Sequence, residues 1–269
     1  MEEDPMKIVF YGIGNMASAI FRGMINEGIK PEEIYVTSIP GDPFLEQYKE
    51  ELGVVPSLDD ALLLRDADYV VFATKPQDFD SVVERVKPYL EDKTTLVSIM
   101  AGTTIKTIQT KLNGNETVRI MPNTNAVVQH SVNGVAFSEN FTNKEELLRL
   151  IETFGTNVLI DESEFNQITA ATGSGPAFLY YIYEKYADSL VNLGFSKEQA
   201  DVLTSELVIG TAEMMKDSDL PLSTLRENIT SKKGTTDAGL KSLYKHDIEK
   251  IFDQTLEAAK TRGEELSKN

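Results

Sequence analysis

The sequence predicts an α/β fold, a doubly wound parallel sheet followed by an all-α C-terminal half. Three observations predict it. Short runs rich in β-branched and aromatic residues alternate with helical spacings as far as Asp161. Several of those runs are apolar throughout, as strands buried on both faces are. After Asp161 the runs stop, while apolar positions three to four residues apart continue to the C-terminus.

Lys7–Tyr11, Ile34–Thr37, Tyr69–Ala73, Thr95–Ile99 and Thr117–Met121 read as strands, with helical spacing over Asn15–Glu27, Pro43–Leu52, Leu58–Arg65, Asp78–Leu90 and Thr104–Leu112. Val132–Phe137, a helix over Lys144–Phe154 and Val158–Ile160 close the same half. Helices are expected over Glu164–Ala171, Pro176–Leu193, Ser196–Lys216, Pro221–Ile229, Thr235–Tyr244 and Ile248–Leu266. Ser196 with Gln199 three residues later is a capping-box pattern, and Pro176 and Pro221 suit first-turn positions. A boundary near residue 162 divides the chain into domains 1–162 and 163–269.

Composition removes several function classes. With 41% hydrophobic and 26% charged residues the chain is globular, and 269 residues bury a sizeable core. A net charge of −17 repels phosphate backbones and anionic lipid, which argues against nucleic-acid and membrane partners. Without cysteine there is no thiolate nucleophile or iron–sulfur cluster, and His130 and His246 alone make a metal cage improbable; both suit surface or packing roles. No apolar run approaches the length of a membrane span, and the acidic start lacks a signal-peptide core. A cytoplasmic location is expected, although a cysteine-free chain suits secretion nearly as well.

Gly12-x-Gly14-x-x-Ala17 follows the first strand and opens the first helix, the setting in which glycines let a pyrophosphate approach a helix N-terminus. The second strand ends in Thr37-Ser38-Ile39-Pro40, with no acid to repel a 2′-phosphate and two hydroxyls to donate to it, so NADPH is favoured over NADH, although no arginine stands there. Thr74-Lys75-Pro76-Gln77, Ser98-Ile-Met-Ala-Gly102 and Arg119-Ile-Met-Pro-Asn123 leave successive strands at what should be one sheet edge. Lys75 alone reads equally well as a solvated lysine. Gly173-Ser-Gly175-Pro176-Ala177-Phe178 joins two helices and suits either close packing or a ligand. Asn228-Ile-Thr230-Ser231-Lys232-Lys233-Gly234-Thr235-Thr236-Asp237-Ala-Gly239 has the amides, hydroxyls and cations to hold a carboxylate, or is an ordinary polar loop.

Together these segments resemble the pyrroline-5-carboxylate reductases, from about residue 6 to residue 265. The most specific stretch is Asn228–Leu240, similar to the family's S-P-G-G-T-T signature; Gly12–Ala17, Ala73–Pro76, Ser98–Gly102, Arg119–Thr124 and Gly173–Ala177 support it in order. The resemblance implies a Rossmann domain, a helical domain for dimerisation and substrate binding, a homodimer and often a ring of five dimers, and formation of L-proline from Δ1-pyrroline-5-carboxylate with NAD(P)H. It places the dinucleotide on Gly12, Ile13, Gly14, Asn15, Met16, Ala17, Ser38, Ala73, Thr74, Lys75, Pro76, Met100, Ala101 and Gly102, with Asn228 at the nicotinamide end. It places the substrate carboxylate on Ser231, Gly234, Thr235 and Thr236, with the Thr236 hydroxyl as the catalytic group at the nitrogen.

Lys232 and Lys233 stand where the family commonly has Pro and Gly, and a lysine there requires a φ that a β-carbon tolerates. Asp60 stands where a relative carries Asn near the adenosine. Met6 matches the family's usual start, so residues 1–5 read as a dispensable extension. Two rivals remain. A β-hydroxyacid dehydrogenase would place its catalytic lysine at Leu179. A dinucleotide-binding regulator descended from the reductase would keep the first glycines and lose the substrate loop.

Overall fold

All four side chains of β1 (Ile8–Tyr11) are buried because the strand has a helical layer on each face. The computed structural model describes residues 6–266, so the extension read at residues 1–5 lies outside it. Ile8 and Phe10 pack with Ile34 and Val36 of β2 (Ile34–Thr37), and with Ile20, Phe21 and Met24 of α1 (Asn15–Asn26). Val9 and Tyr11 point the other way, the period-two alternation of a strand, into a cluster with Leu63, Phe72, Phe79 and Ile108. Each large apolar side chain so buried contributes roughly 1.5 to 3 kcal/mol.

After β2 come α2 (Pro43–Leu52), β3 (Val55–Pro56), α3 (Asp60–Leu64), β4 (Tyr69–Phe72), α4 (Phe79–Val86), β5 (Thr95–Ser98), α5 (Ile105–Lys111), β6 (Thr117–Met121), β7 (Ser131–Phe137), α6 (Lys144–Glu152) and β8 (Gly155–Leu159). The strand order is β3-β2-β1-β4-β5-β6-β7-β8. The chain returns past β1 to place β4 beside it, which creates the switch point where doubly wound sheets bind ligands. Tyr11 pairs in parallel register with both Thr37 and Phe72, and Phe72 with Ser98, so the turns that follow these residues stand side by side. β7 runs antiparallel to β6, because the connection between them is too short for a parallel crossover.

Two sequence expectations change. The helix read over Asp78–Leu90 ends at Val86, since Pro88 has no amide to continue the helical hydrogen bonds beyond Lys87. The helix read over Glu164–Ala171 is α7 (Phe165–Ile168) followed by a π turn over Thr169–Gly173, in which the Ser174 amide donates to the Thr169 carbonyl at 2.8 Å. The Gly173–Phe178 junction is therefore the end of that turn and the first turn of α8 (Gly175–Asn192). The two-residue β3, ending in Pro56 at the sheet edge, carries no periodicity to read.

The remaining helices are α9 (Lys197–Lys216), α10 (Leu222–Asn228), α11 (Thr235–Lys245) and α12 (Ile248–Leu266). By its contacts the chain divides into one unit running to Pro176 and resuming at Ala259, and a second, Ala177–Ala258. Ala200 and Thr204 are the buried residues of α9, and none of α8, α10, α11 and α12 has one, while Tyr180, Tyr181, Leu203, Ile209 and Met214 stand exposed. Apolar surface on this scale marks an interaction face. Among the described residues no helix is long and apolar enough to cross a membrane, and no group of three metal-ligating side chains occurs.

Candidate functional site

The turn from β1 into α1 has the geometry of an anion cradle. Gly12 has φ +104°, and a β-carbon there would lie 2.7 Å from the Ala73 carbonyl oxygen, so only glycine lets the two turns meet. Gly14 occupies the N-cap of α1 without a side-chain cap, no acid lies in the first turn, and the space where its β-carbon would stand is open. Among the first-turn residues Asn15 is exposed, Met16 half-buried and Ala17 buried, and Ile13 is buried beneath them. The free amides and the positive end of the helix dipole suit a pyrophosphate.

The end of β2 differs from its sequence reading. Thr37 is fully buried and its Oγ1 accepts a hydrogen bond from Arg85 Nη2 at 3.3 Å, while Ser38 Oγ donates to Asp42 Oδ2 at 2.6 Å. Thr37 is buried out of reach of a phosphate and the Ser38 proton is spent on Asp42, so an acid does stand here, four residues further along the chain. The arginine missing from the local sequence comes from α4: Arg85 holds Asp60 with Nε at 2.9 Å and Nη2 at 2.8 Å. Tyr11 Oη donates to the same carboxylate at 3.0 Å, and burial, reinforced by Asp60, raises its pKa well above the ordinary phenol value. The Asp60 hydrogen bonds raise that of Arg85. Asp60, assigned to the adenosine side by resemblance, is thus part of a Tyr11–Asp60–Arg85 brace beneath the edge. Its only sequence signal was a basic residue in the last turn of α4.

Beside Gly12, Ala73 and Thr74 are half-buried and Lys75 and Pro76 exposed, and Thr74 Oγ1 contacts Met100 Sδ at 3.7 Å. Met100 is buried, with its amide donating to Ser98 Oγ at 3.3 Å, and Ala101 and Gly102 turn outward after it. The sheet therefore brings Gly12–Ala17, Ser38, Ala73–Pro76 and Met100–Gly102 to one edge. Of the segment Arg119–Asn123, Arg119 itself does not reach this edge. It lies within β6, buried over the Phe165 ring at 3.9 Å, and Nη1 donates to Glu162 Oε1 at 2.8 Å while Nε has no partner. Burial lowers its pKa.

The second polar cluster lies in the other unit. Gly234 is the N-cap of α11, again without a side-chain cap, and a β-carbon there would collide with Ser231 Oγ. Ser231 and Thr235 are exposed and Thr236 half-buried, and none of their hydroxyls has a hydrogen-bond partner among the described residues. Asn228 ends α10 and is exposed, lining an apolar cavity of about 550 Å³ with Leu207, Met214 and Leu225. The Lys233 amide donates to Asp237 Oδ2 at 3.1 Å; Asp237 is held below the usual carboxylate range mainly by Lys241, whose Nζ lies 2.7 Å away. Uncommitted amides and hydroxyls converging on a helix start can hold a carboxylate. His130 and His246 are exposed, and His246 Nδ1 lies 2.8 Å from the Ser242 carbonyl at the end of α11.

Lys233 has φ +60°, the left-handed region that glycine adopts freely and a lysine only at a cost. Lys233→Gly is expected to raise the unfolding free energy by about 0.5 to 1 kcal/mol, part of the relief being offset by a more flexible unfolded chain. Chemical denaturation checks this. Because the lost cation stands beside the proposed carboxylate site, KM for an anionic substrate should rise a few-fold at low salt and less at high salt. An improved KM at every salt concentration would make Lys233 a tolerated defect with no electrostatic role.

The two halves match two family models: NADP oxidoreductase, coenzyme F420-dependent, over residues 7–102, and pyrroline-5-carboxylate reductase dimerisation over residues 162–266. A pyrroline-5-carboxylate reductase of Staphylococcus haemolyticus is 50% identical over 268 residues, covering 98% of this chain and 99% of that protein. The chain belongs to the pyrroline-5-carboxylate reductase family. The corresponding protein of Staphylococcus aureus is 48% identical over 97% of this chain and 98% of its own length. Among solved structures, the pyrroline-5-carboxylate reductase of Coxiella burnetii superposes with TM-score 0.92 at 32% identity, covering 99% of this chain and 100% of that one. The Plasmodium falciparum pyrroline carboxylate reductase, solved with NADP bound, gives TM-score 0.84 at 29% identity over 97% and 98%. The region matched as the reductase dimerisation domain includes the helices with exposed apolar faces, which indicates a homo-oligomer.

Proposed function

We propose that this pyrroline-5-carboxylate reductase family member reduces Δ1-pyrroline-5-carboxylate to L-proline with NAD(P)H, the last step of proline biosynthesis. The observation that carries the reading is the pair of uncapped helix starts at Gly14 and Gly234, each of at least eleven residues and each opening on uncommitted amides. One suits a pyrophosphate and the other a carboxylate.

The open Gly14 cradle and the close approach at Gly12 fit a dinucleotide. When bound, the dihydronicotinamide supplies the hydride that the imine carbon accepts. The chain's own work is binding and orientation. The amides at Asn15–Ala17 hold the pyrophosphate, and Ala73–Pro76 and Met100–Gly102 flank it. Ser231 and the amides of Thr235 and Thr236 hold the substrate carboxylate, the Gly234 amide being spent on the Ser231 carbonyl at 3.0 Å, and the resemblance assigns Asn228 to the nicotinamide. The Thr236 hydroxyl hydrogen-bonds the substrate nitrogen, accepting from the N–H of the protonated imine and donating to the amine once it has formed. A protonated imine is already a strong electrophile, so positioning and exclusion of water supply most of what a stronger acid would otherwise have to provide. This reading keeps the domains 1–162 and 163–269 as cofactor and substrate halves. It also takes the exposed faces of α8–α12 as a homodimer interface, with rings of five dimers as the larger assembly.

A lysine-dependent β-hydroxyacid dehydrogenase is disfavoured because Leu179, an aliphatic residue, stands at the position its lysine would need. The regulatory alternative is separated by one assay. NADPH oxidation that depends on added pyrroline-5-carboxylate, with proline as the product, is the expected result. Nucleotide binding without substrate-dependent oxidation would favour the regulator.

A further inference from the structure

The loop after β2 is a tight turn. The Asp42 amide donates to the Ile39 carbonyl at 3.2 Å, Pro40 takes the second position, and Gly41 with φ +85° takes the third, the pattern of a type II turn. The turn folds Asp42 back onto the end of β2, although in sequence it lies beyond the strand's last residues. Its carboxylate then bridges two structures: Oδ2 accepts from Ser38 Oγ at 2.6 Å, and Oδ1 caps α2 by accepting from the Phe44 amide at 3.0 Å.

In doubly wound folds the end of the second strand meets the adenosine ribose; an acid there accepts the 2′-hydroxyl, and a cation there accommodates a 2′-phosphate. In this chain the start of α2, which could have received a phosphate, is already capped by a carboxylate. Arg85, the cation that reaches the end of β2 at Thr37, is committed to Asp60 through two nitrogens. Asp42 has no ion-pair partner among the described residues. The unneutralised charge at this end of the edge is therefore negative.

We infer that Asp42 determines the balance between the two cofactors: it accepts the ribose 2′-hydroxyl of NADH and repels the 2′-phosphate of NADPH, so that this chain binds both with comparable affinity. The inference rests on the reading of this edge as the dinucleotide site. Asp42→Asn is the direct test, because asparagine caps helices as well as aspartate does and removes the charge; its amide then donates to Ser38 Oγ, which frees the Ser38 proton for a phosphate and moves the preference the same way.

Two simple probes, 5′-ADP and 2′,5′-ADP, are titrated calorimetrically into the intact protein, and kcat/KM is measured with NADH and NADPH. In wild type the two probes should bind within about tenfold of each other. In Asp42→Asn the preference should move toward the phosphorylated member of both pairs by roughly five- to fiftyfold, the size expected for removing one like charge a few ångströms from a phosphate. Asp42→Ser, which also retains a cap, should move it the same way. Ratios unchanged in both variants, with both probes still bound, would overturn the role of Asp42. Failure of wild type to bind either probe would instead overturn the site assignment, and the inference with it.

Discussion

Replacing Glu162 by Gln is expected to lower the unfolding free energy by about 2 to 4 kcal/mol. Glu162 Oε1 accepts from both Arg119 Nη1 at 2.8 Å and the Ile105 amide at 2.7 Å, so one carboxylate oxygen neutralises a buried guanidinium and holds the first residue of α5. Arg119 is only 4% exposed and its Nε is already without a partner, so it has no water to fall back on once the carboxylate charge is gone. Leaving one member of a fully buried pair uncompensated costs about 3 to 5 kcal/mol, and the 31% exposure of the Glu162 side chain lowers the expected loss below that range. The double variant Arg119→Met, Glu162→Leu separates the desolvated charge from packing, and it should recover most of the loss. Urea denaturation of both variants decides the matter. A loss below about 0.5 kcal/mol for Glu162→Gln would mean that solvent reaches Arg119 easily.

Thr236→Val should reduce kcat/KM for pyrroline-5-carboxylate by roughly five- to 150-fold, the loss of one positioned hydrogen bond worth about 1 to 3 kcal/mol. Its thermal midpoint should stay close to that of wild type, because the hydroxyl has no partner within the described fold and valine keeps the shape. Cofactor affinity should also be nearly unchanged, since the proposed dinucleotide cradle lies on α1. A fall in rate accompanied by a matching fall in stability would assign Thr236 to the structure of α11. A wild-type rate would remove it from the chemistry.

Most of the first unit was legible because its signals are local. The strands β1 and β4 announce themselves as continuous apolar runs, a consequence of burial on both faces, β2, β5 and β6 as short runs rich in β-branched residues, and the Gly12–Ala17 turn needs only its own glycines to open α1. The two-residue β3 was not legible, since two residues carry no period. Lys233 stands between these cases. Its strain was foreseeable from a lysine in a glycine position, and its φ of +60° bears that out.

Taken alone, the sequence determined the α/β order of the first half, the helical second half, the glycine cradle and the polar loop before α11, because each depends on residues adjacent in the chain. Only the tertiary structure decided the charge at the proposed cofactor edge. A type II turn returns Asp42 to Ser38, and α4 carries Arg85 to Asp60 and Thr37 from far along the chain. The same holds for Arg119, which lies inside the strand read over Thr117–Met121 but whose pairing with Glu162 no local pattern announces. Periodicity and motif spacing report which face a residue occupies; they do not report which distant charge will meet it there, and Coulomb interactions depend on that distance.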